Sequence, residues 1–131
     1  MEQTTWYAAL IKPSFAPPAY LFGPVWSVLY IVIFATFGYV FYKVWQGEIP
    51  KIVALPFALN LFFNAAFTPL QFGLQNNLLA AIDISLVLAS LLLAMWFIYP
   101  YAAFVVYANI PYLLWVLFAT VLQFSITYLN W

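Results

Sequence analysis

Residues Ile84 to Trp131 read ISLVLASLLLAMWFIYPYAAFVVYANIPYLLWVLFATVLQFSITYLNW, and none of them carries a charge. A membrane-spanning helix takes about 20 mainly apolar residues, because the hydrocarbon is about 30 Å thick and a helix rises about 1.5 Å per residue. This one stretch is long enough for two such spans. A transmembrane β-barrel would instead alternate apolar and polar residues over strands of about ten, and Leu86-Val87-Leu88-Ala89-Ser90-Leu91-Leu92-Leu93 does not alternate. Upstream, the charges at Asp83, Lys51, Glu48, Lys43 and Lys12 mark out further intervals, which Pro, Gly and the polar Gln75-Asn76-Asn77 cluster divide. The expectation is an all-α polytopic membrane bundle of four transmembrane helices in one domain over residues 1–131. A loop occupies 1–20, and the helices lie near Leu21 to Val44, Ile52 to Leu74, Leu78 to Tyr99 and Ala102 to Tyr128.

Composition points the same way. With 69% hydrophobic, 23% aromatic and 5% charged residues, the chain cannot build a water-exposed surface of ordinary composition. Three Lys, no Arg and three acids leave no basic stripe for nucleic acid. Without Cys or His there is no thiolate nucleophile, no imidazole base and none of the usual zinc, copper or haem ligand sets, so neither a metal nor an intrinsic cofactor is expected. Glu2, Gln3, Thr4 and Thr5 stand where a signal peptide would begin with basic residues. Lys12 falls on one side of the bundle and Lys43 and Lys51 on the other, too few charges to orient it.

Residues 6–24 hold Pro13, Pro17, Pro18 and Pro24 among Trp6, Tyr7, Phe15, Tyr20 and Phe22, which makes a stiff aromatic loop at headgroup level or over one end of the bundle. Within the helices, polar residues identify inward faces, because lipid cannot satisfy them. Asn60, Asn64, Thr68, Gln71 and Gln75 follow helical spacing over four turns, as do Tyr112, Trp115, Ala119, Gln123 and Thr127. Gly23, Trp26, Tyr30, Phe34, Phe37 and Phe41 form a mainly aromatic stripe. Three faces thus line one cavity, unless the polar groups only bond helix to helix. Asp83 is expected near the start of its helix, at the interface and stabilised by the helix N-terminus. Pro69 and Pro111 are expected to kink their helices. No Ser/His/Asp set, phosphate loop or inward carboxylate pair is present, so the residues alone point to a binding protein for something flat and apolar.

The segment Trp6-Tyr7-Ala8-Ala9-Leu10-Ile11-Lys12-Pro13-Ser14-Phe15-Ala16-Pro17-Pro18, with Phe22-Gly23-Pro24-Val25-Trp26-Ser27-Val28-Leu29-Tyr30, resembles the loop and following helix of the tryptophan-rich sensory protein or translocator (TspO/MBR) family. The likeness continues through Leu59-Asn60, Asn64 to Gly73, Asp83, Ile110 to Leu122 and Asn130, nearly the whole chain. It implies a receptor for tetrapyrroles such as protoporphyrin IX or haem, assisting porphyrin transport or light-dependent breakdown. The positions that match the family's pocket are Tyr7, Trp26, Asn64, Phe67, Trp115 and Ala119, with Tyr30, Asn60 and Gln71 added from the stripes. Trp26 and Trp115 match the tryptophans associated with porphyrin breakdown. The resemblance further implies a bacterial cytoplasmic membrane, with the mitochondrial outer membrane as the alternative, and a homodimer or a second membrane subunit as partner.

Departures from the family pattern bear on function. The family's first helix precedes the Trp-Tyr loop, at which this sequence starts. Phe67 stands where many members have Trp, and Gln123 where Asn is usual. No Lys or Arg follows Tyr128, which argues against sterol recognition. The alternative reading is an accessory subunit docked in a larger membrane complex, its pocket filled by lipid.

Overall fold

A computed structural model describes residues 10, 12–14, 16 and 19–130. A short 3-10 turn at Ala19–Leu21 leads into α1 (Phe22–Trp45), followed by α2 (Lys51–Thr68), a π-helical turn (Pro69–Gly73), α3 (Asn77–Ile98), α4 (Ala103–Ala108) and α5 (Ile110–Leu129). The described residues contain no strand. Three segments, Gly23–Trp45, Asn77–Ile98 and Ile110–Leu129, are long and apolar enough to cross a membrane, and α2 is apolar but shorter.

Two boundaries have a local cause in the backbone or a cap. Gly47 adopts φ 77°, and the amides of Gly47 and Glu48 bond back to Val44 O (3.0 Å) and Lys43 O (2.9 Å). This pairing closes a helix C-terminus, with glycine in the left-handed position that a Cβ would strain. Lys43 and Glu48 form an ion pair of 2.7 Å across the same turn. At the start of α3, Asn76 Oδ1 accepts from Leu79 N at 2.9 Å, capping a first-turn amide.

The structure departs from the sequence expectations in three places. The helix expected over Ile52 to Leu74 is α-helical only to Thr68. Pro69 has no N–H to give the preceding turn, and there the chain widens into π-helix. Gln75, placed on the polar stripe by spacing, lies off the helix at φ 52°, a strained conformation for a non-glycine residue. The helix expected over Ala102 to Tyr128 is two helices meeting at Asn109, with Pro111 in the first turn of the second.

Helix α3 is central, packed along α2 on one side and α5 on the other, and α1 lies against α2 and α4. Small buried residues Ala80, Ala81, Ser90 and Ala94 give α3 its close approaches. Phe37 meets Phe57 edge-on at 4.8 Å between α1 and α2, and Tyr39 meets Phe104 at 4.9 Å between α1 and α4. The outer surface is apolar, with Ile31, Phe34, Phe62 and Leu114 all exposed, as a helix bundle in lipid requires. Trp45 (89% exposed), Trp96 (78%), Tyr99 and Tyr107 surround one end, while Tyr20 and Tyr128 flank the other. These are the positions of interfacial aromatic belts. Leu10 and Ala16 of the loop, with Phe118 of α5, pack on Leu122 and Ile126 of α5.

Candidate functional site

Four helices contribute to one buried polar chain. Tyr30 of α1 donates its hydroxyl to Asn64 Oδ1 on α2 (3.2 Å), and Asn64 Nδ2 donates to the Tyr112 hydroxyl on α5 (2.8 Å). Tyr112 donates in turn to Asn60 Oδ1 (2.9 Å). Asn60 Nδ2 closes the chain on α3, bonding Val87 O (3.0 Å) and Ser90 Oγ (3.2 Å). The one-turn spacing of Asn60 and Asn64 puts both amides opposite a single phenol. Tyr112 is fully buried at the centre, and its OH is used as both acceptor and donor. Asn60 is also fully buried, with both ends of its amide engaged, so its side chain has no face left for a ligand.

An aromatic cluster stands beside this chain. Trp26 stacks on Tyr30 at 5.5 Å and meets Tyr112 at 6.3 Å and Trp115 at 6.4 Å, the last two edge-to-face. Tyr30 stacks on Phe34 at 6.0 Å, and Trp115 lies 5.6 Å from Phe118. Against Trp115 opens a groove of about 620 Å³, walled by Pro24, Val25, Val28 and Leu29 of α1 and by Pro111, Leu114 and Trp115 of α5. That size falls within the range of about 300–1,000 Å³ usual for small-molecule sites. The wall contains no ionisable side chain, and Val28 and Leu114 carry it out to the lipid-facing surface.

The other anticipated residues fall in different places. Phe67 and Ala119 are half-buried against the core. Gln71 lies on the π turn, with its side chain outside the described residues, and Tyr7 lies outside them altogether. Phe34, placed on the inward aromatic stripe by spacing, is exposed, whereas Phe37 is buried. Gln123 and Thr127 bond Asn77 O at 3.3 and 3.0 Å, fastening α5 to the start of α3. Asp83 lies past the first turn of α3, beyond the reach of the helix terminus expected to stabilise it, and is 4% exposed with no hydrogen-bond partner for Oδ2. No cluster of three or more His, Cys, Asp or Glu side chains occurs among the described residues.

Two residues central to the structure were not among the expected site residues. Tyr112 was legible as part of an inward stripe, but spacing alone names no partner. Asn109 was signalled by a polar amide two residues before Pro111 in an apolar run. It is buried at the α4–α5 break, where Nδ2 donates to Thr36 Oγ1 of α1 (2.9 Å) and to Val105 O (2.8 Å).

Comparison with known proteins agrees with this architecture. The tryptophan-rich protein TspO of Archaeoglobus fulgidus is 38% identical over 128 residues, an overlap covering 96% of this chain and 80% of the relative. TspO of Bacillus cereus is 37% identical, with 96% and 81% covered. The human translocator protein is 35% identical, with 95% and 75% covered. The apolar helices and these relatives make this an integral, multi-pass membrane protein. A model of the TspO/MBR family matches residues 1–129, and the chain belongs to that family.

Proposed function

We propose that the protein is a membrane receptor for tetrapyrroles, taking protoporphyrin IX or haem into the groove between α1 and α5. The carrying observation is the edge-to-face Trp26–Trp115 pair beside an apolar groove of suitable size. A flat conjugated ring gains most from such walls, through apolar burial and ring contacts. The polar chain behind them holds Tyr30 and Tyr112 in place. In this reading Phe67, Ala119, Tyr7 and Gln71 are further ligand contacts. In the same reading α2 also crosses the bilayer, since its 18 α-helical residues and the five-residue π turn together reach about 30 Å.

Light-dependent breakdown would use the same two indoles. A photoexcited porphyrin accepts one electron from an adjacent indole, leaving an indole radical cation and a porphyrin radical anion, and molecular oxygen is the co-reactant that would oxidise the ring. The test is a titration of the detergent-purified protein with protoporphyrin IX, following quenching of its six tryptophans in the dark and porphyrin loss under light. Saturable quenching, weakened by Trp26→Ala, is expected. Unaltered light-dependent loss in Trp115→Phe would remove the catalytic role and leave the binding role. A well-folded sample with no saturable binding would favour the accessory subunit, docked on a second copy or another membrane protein.

A further inference from the structure

We infer that Asn109 is a positioning residue for the α1–α5 groove beside the Trp26–Trp115 pair, holding α5 at its separation from α1 through Thr36. The inference rests on that groove being the ligand site, and it concerns what sets the groove's width. Backbone packing does little of this work: α3 packs along α5 at close range, whereas α1 and α5 meet through large rings. Among the described residues, Asn109 to Thr36 is the one direct hydrogen bond between α1 and the α4–α5 arm.

The geometry at Asn109 makes it a pivot. Its backbone leaves the helix at φ −96° and ψ 6°, and Pro111 supplies no N–H across the break. The side-chain amide bonds Val105 O on the α4 side at 2.8 Å and Thr36 Oγ1 on α1 at 2.9 Å. Thr36 is itself oriented by donating to Val32 O at 2.7 Å. One turn beyond the pivot lies Tyr112, and two turns beyond lies Trp115. A tilt of α5 about Asn109 therefore moves both rings, and with them the α5 wall of the groove, relative to Trp26.

A purely stabilising role fits poorly. Asn109 is 1% exposed, and its Oδ1 is buried without a partner. Such an atom costs free energy that an apolar side chain of the same size would not. The amide fixes a distance and a direction, which an apolar contact would leave loose.

Three variants test this. Thr36→Val keeps the shape and removes the acceptor, Thr36→Ser keeps the hydroxyl, and Asn109→Leu removes the amide. The first readout is the near-UV circular dichroism of the ligand-free protein, using the component that Trp115→Phe abolishes. The second is protoporphyrin IX affinity by tryptophan quenching. Thr36→Val and Asn109→Leu should alter the dichroism component and weaken binding about three- to tenfold, the range of a single interhelical hydrogen bond. Thr36→Ser should preserve both. Thr36→Val matching Thr36→Ser and the parent in the dichroism component would overturn the inference. If Asn109→Leu fails to fold, the two Thr36 variants decide alone. If the parent binds no protoporphyrin, the receptor reading falls, while the ligand-free dichroism still decides the role of Asn109.

Discussion

The seam between α2 and α3 and the seam between α1 and α5 are built from opposite materials. In the first, small residues on α3 let the helices approach until the Asn60 amide reaches a backbone carbonyl of its neighbour at 3.0 Å. In the second, Trp26, Tyr112 and Trp115 hold the helices apart, the Tyr112 and Trp115 rings each centred more than 6 Å from that of Trp26, and a groove opens beside them. Lipid offers helices no hydrophobic incentive to associate, so close packing and interhelical hydrogen bonds must do that work. The close seam is therefore the frame, and the open one has room for a guest.

Tyr112 joins the two seams, and its loss tests whether the frame depends on it. Tyr112→Ala should cost about 3–5 kcal/mol from the cavity alone, enough to prevent recovery of folded protein in detergent. Tyr112→Phe keeps the ring and leaves Asn60 Oδ1 and Asn64 Nδ2 without their partner. It should lower stability by about 1–2 kcal/mol, measured by thermal unfolding in a fixed detergent. A melting point unchanged in Tyr112→Phe would mean that the polar chain contributes nothing, and the contrast between the seams would reduce to packing.

Asp83 sharpens the comparison from inside the frame. It shares a face of α3 with Val87 and Ser90, which meet Asn60, yet Oδ2 has no partner. A carboxylate buried in lipid costs about 2.5 kcal/mol or more at midplane. Asp83→Asn, which removes the charge and keeps the shape, should raise stability by about 1–2 kcal/mol after allowing for the amide's own unmet bonds. A drop in melting temperature would instead reveal that the carboxylate is held in the bilayer by a group outside the described residues.

How much of this could be read from the sequence depended on the kind of signal. Charge-free intervals bounded by Pro, Gly and polar clusters locate helical segments because lipid tolerates few interruptions. Four-residue spacing put Asn60 and Asn64 on one face, but spacing along a helix cannot say which amide has room left for a ligand. Asn60 is consumed by its neighbours, while the side chain of Gln71 lies outside the described residues. Spacing put Trp26 and Trp115 on inward stripes, and the role proposed for them came from the family resemblance. Pro69 and Pro111 were read as kinks inside continuous helices. Whether a missing N–H produces a kink, a π turn or a new helix depends on the neighbouring helices, and at Asn109 the contact is with Thr36, far away in sequence. Gln75 misled because helical spacing continues on paper past the point where the backbone turns.

The smallest expected effect on stability belongs to the open seam, and it separates frame from site most cleanly. Leu114 is exposed on the groove wall and faces the lipid. Leu114→Trp exchanges one apolar surface for another and should change stability by no more than about 0.5 kcal/mol. The larger ring lies across a groove of about 620 Å³ and should weaken protoporphyrin IX binding by about tenfold or more. Any comparably bulky residue set into the α2–α3 seam, for instance Ala94→Leu at a fully buried position, should do the reverse and destabilise the protein by about 1–3 kcal/mol. If Leu114→Trp proves as destabilising as Ala94→Leu, then α1 and α5 are as tightly fitted as α2 and α3, and the opening between them is not where a ligand sits.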